Sequence, residues 1–134
     1  MFDHTADLGI RVTAPTRAAL FESAARGLAS VICDLRHVRP RIERDVAARA
    51  RPGDDAELLV AFLSELLFVG SVERLLWRDV AVSFPAPGRV AAHGRGDVLS
   101  DRHPVEREVK AVTYHQACVR RDRGKYRGQV ILDI

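Results

Sequence analysis

Only two stretches of this chain carry apolar residues at the helical period of three to four, and nearly everywhere else they alternate with polar ones. From Thr16 to Ile32 the repeat runs through Leu20, Phe21, Ala24, Leu28, Val31 and Ile32, with Thr16 placed to cap the first turn after Pro15. From about Asp55 to Val69 it runs through Leu58, Leu59, Phe62, Leu63, Leu66 and Leu67. Asp54 and Glu57 resemble a capping box there, and Gly70 stands where a C-terminal stop is expected. Two helices are predicted.

Strands fill the remainder. Ile10-Arg11-Val12 opens the series, Val46, Ala48 and Ala50 alternate with Arg49 and Arg51, and Val80, Val82 and Phe84 alternate with Asp79 and Ser83. A short strand around Val90 and Ala92 follows the turn Pro85-Ala86-Pro87-Gly88. A longer one covers Glu108 to Arg121, and Asp122-Arg123-Gly124 turns the chain into a closing strand that ends at Ile134. Leu99 to Pro104 reads as the most exposed loop, and His93-Gly94-Arg95-Gly96 as a turn. The order strand, helix, strand, helix, then strands joined by tight turns predicts an α+β fold, with two amphipathic helices packed on largely antiparallel sheet.

A chain of 134 residues, 47% hydrophobic and 29% charged, suits a single compact domain spanning 1–134 with one core. The apolar run Leu58 to Leu63 is broken by Ser64 and Glu65, far short of the roughly 20 residues that cross a bilayer, so no membrane partner is expected. Met1-Phe2-Asp3-His4 has no basic or apolar leader character, and a cytoplasmic protein is expected. Cys33 and Cys118 lie far apart in apolar surroundings and read as buried thiols. The net charge of +3 implies weak attraction to anions, with the basic residues scattered among acids. Those 21 residues are nineteen arginines and only two lysines, Lys110 and Lys125.

Three places concentrate polar chemistry. Phe2-Asp3-His4-Thr5-Ala6-Asp7-Leu8-Gly9 crowds acidic and polar groups ahead of a strand, where Asp7 can either form a local turn or face a ligand. In Gln129-Val130-Ile131-Leu132-Asp133-Ile134, Asp133 shares a strand face with Ile131; a carboxylate in so apolar a strand needs a hydrogen bond, an ion pair or a cation unless it lies at an exposed terminus. In Val109-Lys110-Ala111-Val112-Thr113-Tyr114-His115, Lys110, Val112 and Tyr114 share a face, and the lysine is a compact point charge suited to phosphate or carboxylate. His115 could join His4 or Asp7 as a ligand or proton carrier, or serve as a structural hydrogen-bonding residue. The sequence contains no HExxH, CxxC, GxSxG or Walker loop, and no catalytic residue is assigned.

Taken together, Phe2 to Ile10, Leu58 to Phe68, Val109 to His115 and the terminal Leu132-Asp133-Ile134 resemble the archease family along the whole chain. The resemblance implies a non-enzymatic accessory protein of an RtcB-type tRNA-splicing RNA ligase, which promotes ligase guanylylation and multiple turnover. It implies a divalent cation, calcium, magnesium or manganese, held by the carboxylates of Asp7 and Asp133 and the main-chain carbonyl of Ile134. Lys110 matches a lysine important for activation. His4, His115 and Glu65 lie in similar motifs without an assigned metal role. The implied partners are the ligase, tRNA through the ligase, and a guanine nucleotide at the shared site. Hard oxygen donors suit such cations, and two carboxylates with one carbonyl leave coordination positions for water or a partner's group.

Two other classes of function fit the same residues. The carboxylates could serve a stand-alone metal-dependent hydrolase of nucleotides or RNA, which would show metal-dependent turnover without any ligase. The basic pI could instead mark an RNA-binding or chaperone module, whose affinity for bare RNA would fall steeply with salt.

Overall fold

A computed structural model of the protein describes residues 6–134. The elements run β1 (Asp7–Ala14), α1 (Arg17–Ile32), a 3-10 turn (Leu35–His37), β2 (Ile42–Arg49), α2 (Asp55–Glu73), β3 (Leu75–Ser83), β4 (Arg89–Val98), β5 (Ala111–Asp122) and β6 (Lys125–Asp133). The strands form two antiparallel three-stranded sheets, ordered β1-β6-β5 and β2-β4-β3. Both helices pack against both sheets. The α+β architecture read from the pattern is therefore the one observed.

Helix α1 begins as expected, the Thr16 hydroxyl accepting from the Ala19 amide at 3.0 Å. Its residues Leu20, Phe21, Ala24 and Leu28 are buried, and Leu20 lies against Gly128 of β6. Helix α2 is capped by Asp54, whose carboxylate accepts from the Glu57 amide at 3.0 Å. It does not stop at Gly70 but runs on to Glu73, and Arg74 closes it in the left-handed conformation at φ 53° and ψ 55°. Gly70 is needed for a close approach instead: a Cβ there would lie 3.2 Å from the Leu75 carbonyl oxygen and 3.5 Å from the Trp77 indole nitrogen.

The β2-β4-β3 sheet departs most from expectation. The strand around Val90 and Ala92 is ten residues long and central, so His93-Gly94-Arg95-Gly96 is mid-strand and not a turn. Its glycines answer to neighbours, because a Cβ on Gly94 would enter the Trp77 ring and one on Gly96 would strike the Leu76 carbonyl, next to the register shift between Trp77 and Asp79. The Trp77 indole N–H donates to the Leu66 carbonyl at 2.8 Å, tying β3 to α2. Phe84 lies just beyond β3 and packs edge-on to Phe21, with centroids 5.1 Å apart. Cys33 is buried and Cys118 only half-buried; both are free thiols.

Candidate functional site

Strand β6 is the middle of its sheet, and its last residue meets the first of β1: Asp133 is directly opposite Asp7. The amide of Ile134 donates to the carbonyl of Ala6 at 3.0 Å, which makes the neighbouring pair the hydrogen-bonded one. Asp7 and Asp133 thus form a non-hydrogen-bonded pair, the class that brings side chains closest, with Cβ atoms about 4.5–5.5 Å apart. Leu132 and Val130 are buried against the helices, so the odd-numbered residues Asp133, Ile131 and Gln129 face outward, as do Asp7, Gly9 and Arg11 opposite them. Asp7 is exposed and Asp133 half-buried.

Like charges directly opposite on one sheet face repel, and nothing from the protein relieves them: among the described residues neither carboxylate takes part in an ion pair or a side-chain hydrogen bond. Two carboxylates without an ion pair among the described residues, near the main-chain oxygen of Ile134, are a hard-oxygen donor set that fits a divalent cation, although among the described residues no group of three His, Cys, Asp or Glu side chains is gathered. The Ile134 amide is held by Ala6, which fixes the backbone whose carbonyl would be the third donor.

Lys110 is brought to the same end of the sheet through its main chain, its amide donating to the Asp133 carbonyl at 2.7 Å. It precedes β5, which starts at Ala111, so the strand begins three residues later than the pattern suggested. Lys110 is exposed and borders a groove of about 480 Å³ shared with Ser64, Leu67, Phe68 and Ser71 of α2. Its expected face-mates also turn toward α2: Val112 is buried, and the Tyr114 hydroxyl donates to the Glu57 carbonyl at 3.3 Å. Glu65, on the same helix, is half-buried.

The expected ladder then breaks. Thr113 pairs with Ile131 and Cys118 with Gln129, so Tyr114 to Ala117 bulge from the sheet, with Gln116 at φ 57° and its carbonyl accepting from the Gln129 side chain at 2.9 Å. His115 sits exposed in that bulge, with no hydrogen bond or ion pair among the described residues, and is not gathered to the aspartates. His4 lies outside the described residues. Thr113, given no role by sequence reasoning, shares the outward face one row from Asp133, and its Oγ1 is the one buried side-chain polar atom without a partner among the described residues. Its place inside a quoted motif was the signal available.

Two other histidines are engaged with carboxylates. The Leu99–Pro104 segment is pinned by buried His103, whose Nδ1 accepts from the Ser100 amide at 3.0 Å while Nε2 meets the buried Asp97 carboxylate at 3.2 Å. Burial pushes the Asp97 carboxyl up, but the His103 hydrogen bond, Arg41 and the Arg39 amide outweigh it and hold it below its ordinary value. On the other sheet His93 spans Glu43 at 3.0 Å and Asp45 at 2.8 Å, and these hydrogen bonds raise its pKa. Among the described residues no helix is long and apolar enough to cross a membrane.

Known proteins share the sequence and fold of this chain. The family model described as the archease protein family (MTH1598/TM1083) matches residues 1–134. The protein archease of Methanopyrus kandleri is 37% identical over 98% of this chain and 96% of its own, and that of Thermococcus gammatolerans 36% identical over 99% and 96%. The solution structure of Methanobacterium thermoautotrophicum protein 1598 superposes with a TM-score of 0.80 at 30% identity, covering 99% of this chain and 96% of that one. The crystal structure of a Thermotoga maritima archease, described as a possible chaperone, shares the fold at a TM-score of 0.64 and 16% identity, over 100% and 95% of the two chains. With a family model spanning every residue and relatives above 30% identity along nearly the whole chain, this protein belongs to the archease family.

Proposed function

We propose that this protein is an accessory factor of an RtcB-type tRNA-splicing RNA ligase, promoting its guanylylation and multiple turnover without catalysing a reaction of its own. The observation that carries the reading is the Asp7–Asp133 pair, two carboxylates set opposite each other with no ion-pair partner among the described residues. Asp7, Asp133 and the Ile134 carbonyl would hold calcium, magnesium or manganese. When bound, such a cation supplies a hard Lewis acid with open positions for a phosphate oxygen or a ligase side chain.

The chain's own residues do the remaining work. Pairing to β1 on one side and to β5 on the other holds Asp133 in the central strand, so its backbone is fixed before any partner arrives. Lys110, tied by its amide to the Asp133 carbonyl, stands at the same end of the sheet but on its α2 side, and its ammonium would meet the phosphates of a guanine nucleotide reaching round the strand end. The protein contributes charge and position while the ligase contributes the nucleophile; tRNA is reached through the ligase. Stand-alone hydrolysis would instead show metal-dependent turnover of nucleotides or RNA without the ligase.

The test is ligation at limiting cognate ligase. Adding this protein should convert burst-limited sealing to multiple turnover, and Asp7→Ala or Asp133→Ala should abolish the effect. Full activity in both variants would refute the role given to the pair.

A further inference from the structure

The arginines look scattered in sequence, but the fold gathers one set of them. Between Val109 and Leu132 there are six basic residues and a single acid, Asp122, a net of +5, whereas the rest of the chain sums to −2. Among the described residues, four of the fifteen arginines elsewhere are ion-paired, Arg17 to Asp55, Arg36 to Asp34, Arg44 to Glu73 and Arg95 to Asp79. In the β5–β6 hairpin only Arg127 has an acidic neighbour, Asp122 at 3.6 Å; Arg120, Arg121, Arg123 and Lys125 have none within salt-bridge distance among the described residues.

The register sorts these charges by face. Gly128 and Val130 look inward to the helices, so Lys125 and Arg127 look outward, and with them the residues opposite, Arg120 on β5 and, one row on, Arg11 on β1. Arg120 and Arg127 are direct cross-strand partners, a like-charge pair that costs stability unless an anion lies between them. All four are exposed. They fall at three levels two residues or about 7 Å apart along the strand direction, Lys125 opposite Asp122, then Arg127 opposite Arg120, then Arg11 on β1. The set shares its face with Asp7 and Asp133, six residues or about 20 Å further along β6.

We propose that this face binds the phosphodiester backbone of single-stranded RNA directly, through Arg11, Arg120, Lys125 and Arg127. A band of exposed cations on one face, with four positive charges and one acid, fits a polyanion. A membrane surface is the poorer match: of the exposed large apolar side chains, Phe68, Val72, Val98 and Val105 lie off the hairpin, and Tyr114 stands in its bulge with its hydroxyl bonded to α2. The contact itself does not depend on the ligase role; only its consequence does, that an RNA strand lying on this face would have an end directed toward the aspartates.

The test is fluorescence anisotropy of a labelled single-stranded RNA oligonucleotide with the protein alone. Four neutralised phosphates give a slope of log K against log salt near −3, about a 50-fold loss of affinity from 50 to 200 mM salt. The Arg120→Ser/Arg127→Ser variant should halve the slope, leaving about a 7-fold loss. Arg49→Ser/Arg89→Ser removes the same charge from an exposed cross-strand pair on the other sheet and should bind like the unaltered protein. Equal weakening by both double variants, no change in the first, or hairpin-dependent binding of polyglutamate or phosphatidylserine vesicles in place of RNA would each overturn the proposal. Ligase guanylylation consumes no RNA, so its stimulation should survive in the hairpin variant. A failure of the unaltered protein to stimulate it would refute the accessory role and leave the anisotropy result standing by itself.

Discussion

Replacing Asp133 by Asn should make this protein more stable without divalent cation and less stable with it. Asp7 and Asp133 face each other in a non-hydrogen-bonded register, with no neutralising side chain among the described residues. Two unit charges about 5 Å apart repel by about 0.8 kcal/mol in water and about 3 kcal/mol at an effective dielectric of 20. Because one carboxylate is exposed and the other half-buried, the lower part of that range applies, about 1 kcal/mol. At about 2.1 cal/mol/K per residue, unfolding this chain carries an entropy for which 1 kcal/mol is about 4 °C in Tm. Differential scanning calorimetry in EDTA should therefore put Asp133→Asn about 4 °C above the unaltered protein. With calcium at 100 times its dissociation constant, the unaltered protein should gain about 2.7 kcal/mol, about 10 °C, and the variant little, so that the order reverses. A lower Tm for Asp133→Asn in EDTA would mean that the carboxylate already has a favourable partner in the protein, and the reasoning from the bare pair would fail.

Gly94→Ala should destabilise the fold by about 1–3 kcal/mol, since the new methyl would enter the Trp77 ring; urea denaturation followed by tryptophan fluorescence would show the shifted midpoint. Lys110→Ala should lower stimulation of the ligase by about 10²-fold while circular dichroism shows a Tm within about 2 °C, because the side chain is exposed and the structural bond is made by its amide. His93 should titrate above its ordinary value by NMR, and Glu43→Gln should bring it down. Since its folded pKa is raised, its stabilising contribution is complete below the unfolded value near 6.5 and fades as pH rises through the folded one, so the Tm gap between the unaltered protein and His93→Gln should shrink from pH 6 to pH 8.5.

Much of the architecture could be read along the chain because its signals are local. The Thr16 and Asp54 caps each act within three residues, and the period of Leu20, Phe21, Ala24 and Leu28 reports one buried helix face. The Asp122 to Lys125 turn likewise depends on the backbone of Arg123 and Gly124, both at positive φ. Asp7, Lys110 and Asp133 stood out because they are polar residues in motifs that resemble a known family. Local pattern could not tell that Gly70 and Gly94 make room for Trp77, since a glycine chosen for a neighbour's bulk looks the same in sequence as one chosen for a turn. Nor could it place the bulge that removes His115 from the ladder, or the orphan hydroxyl of Thr113. Strand register is a property of pairs of segments, here more than a hundred residues apart, and the same pairing that sets Asp7 against Asp133 lines up Arg11, Arg127 and Arg120 on the face they share.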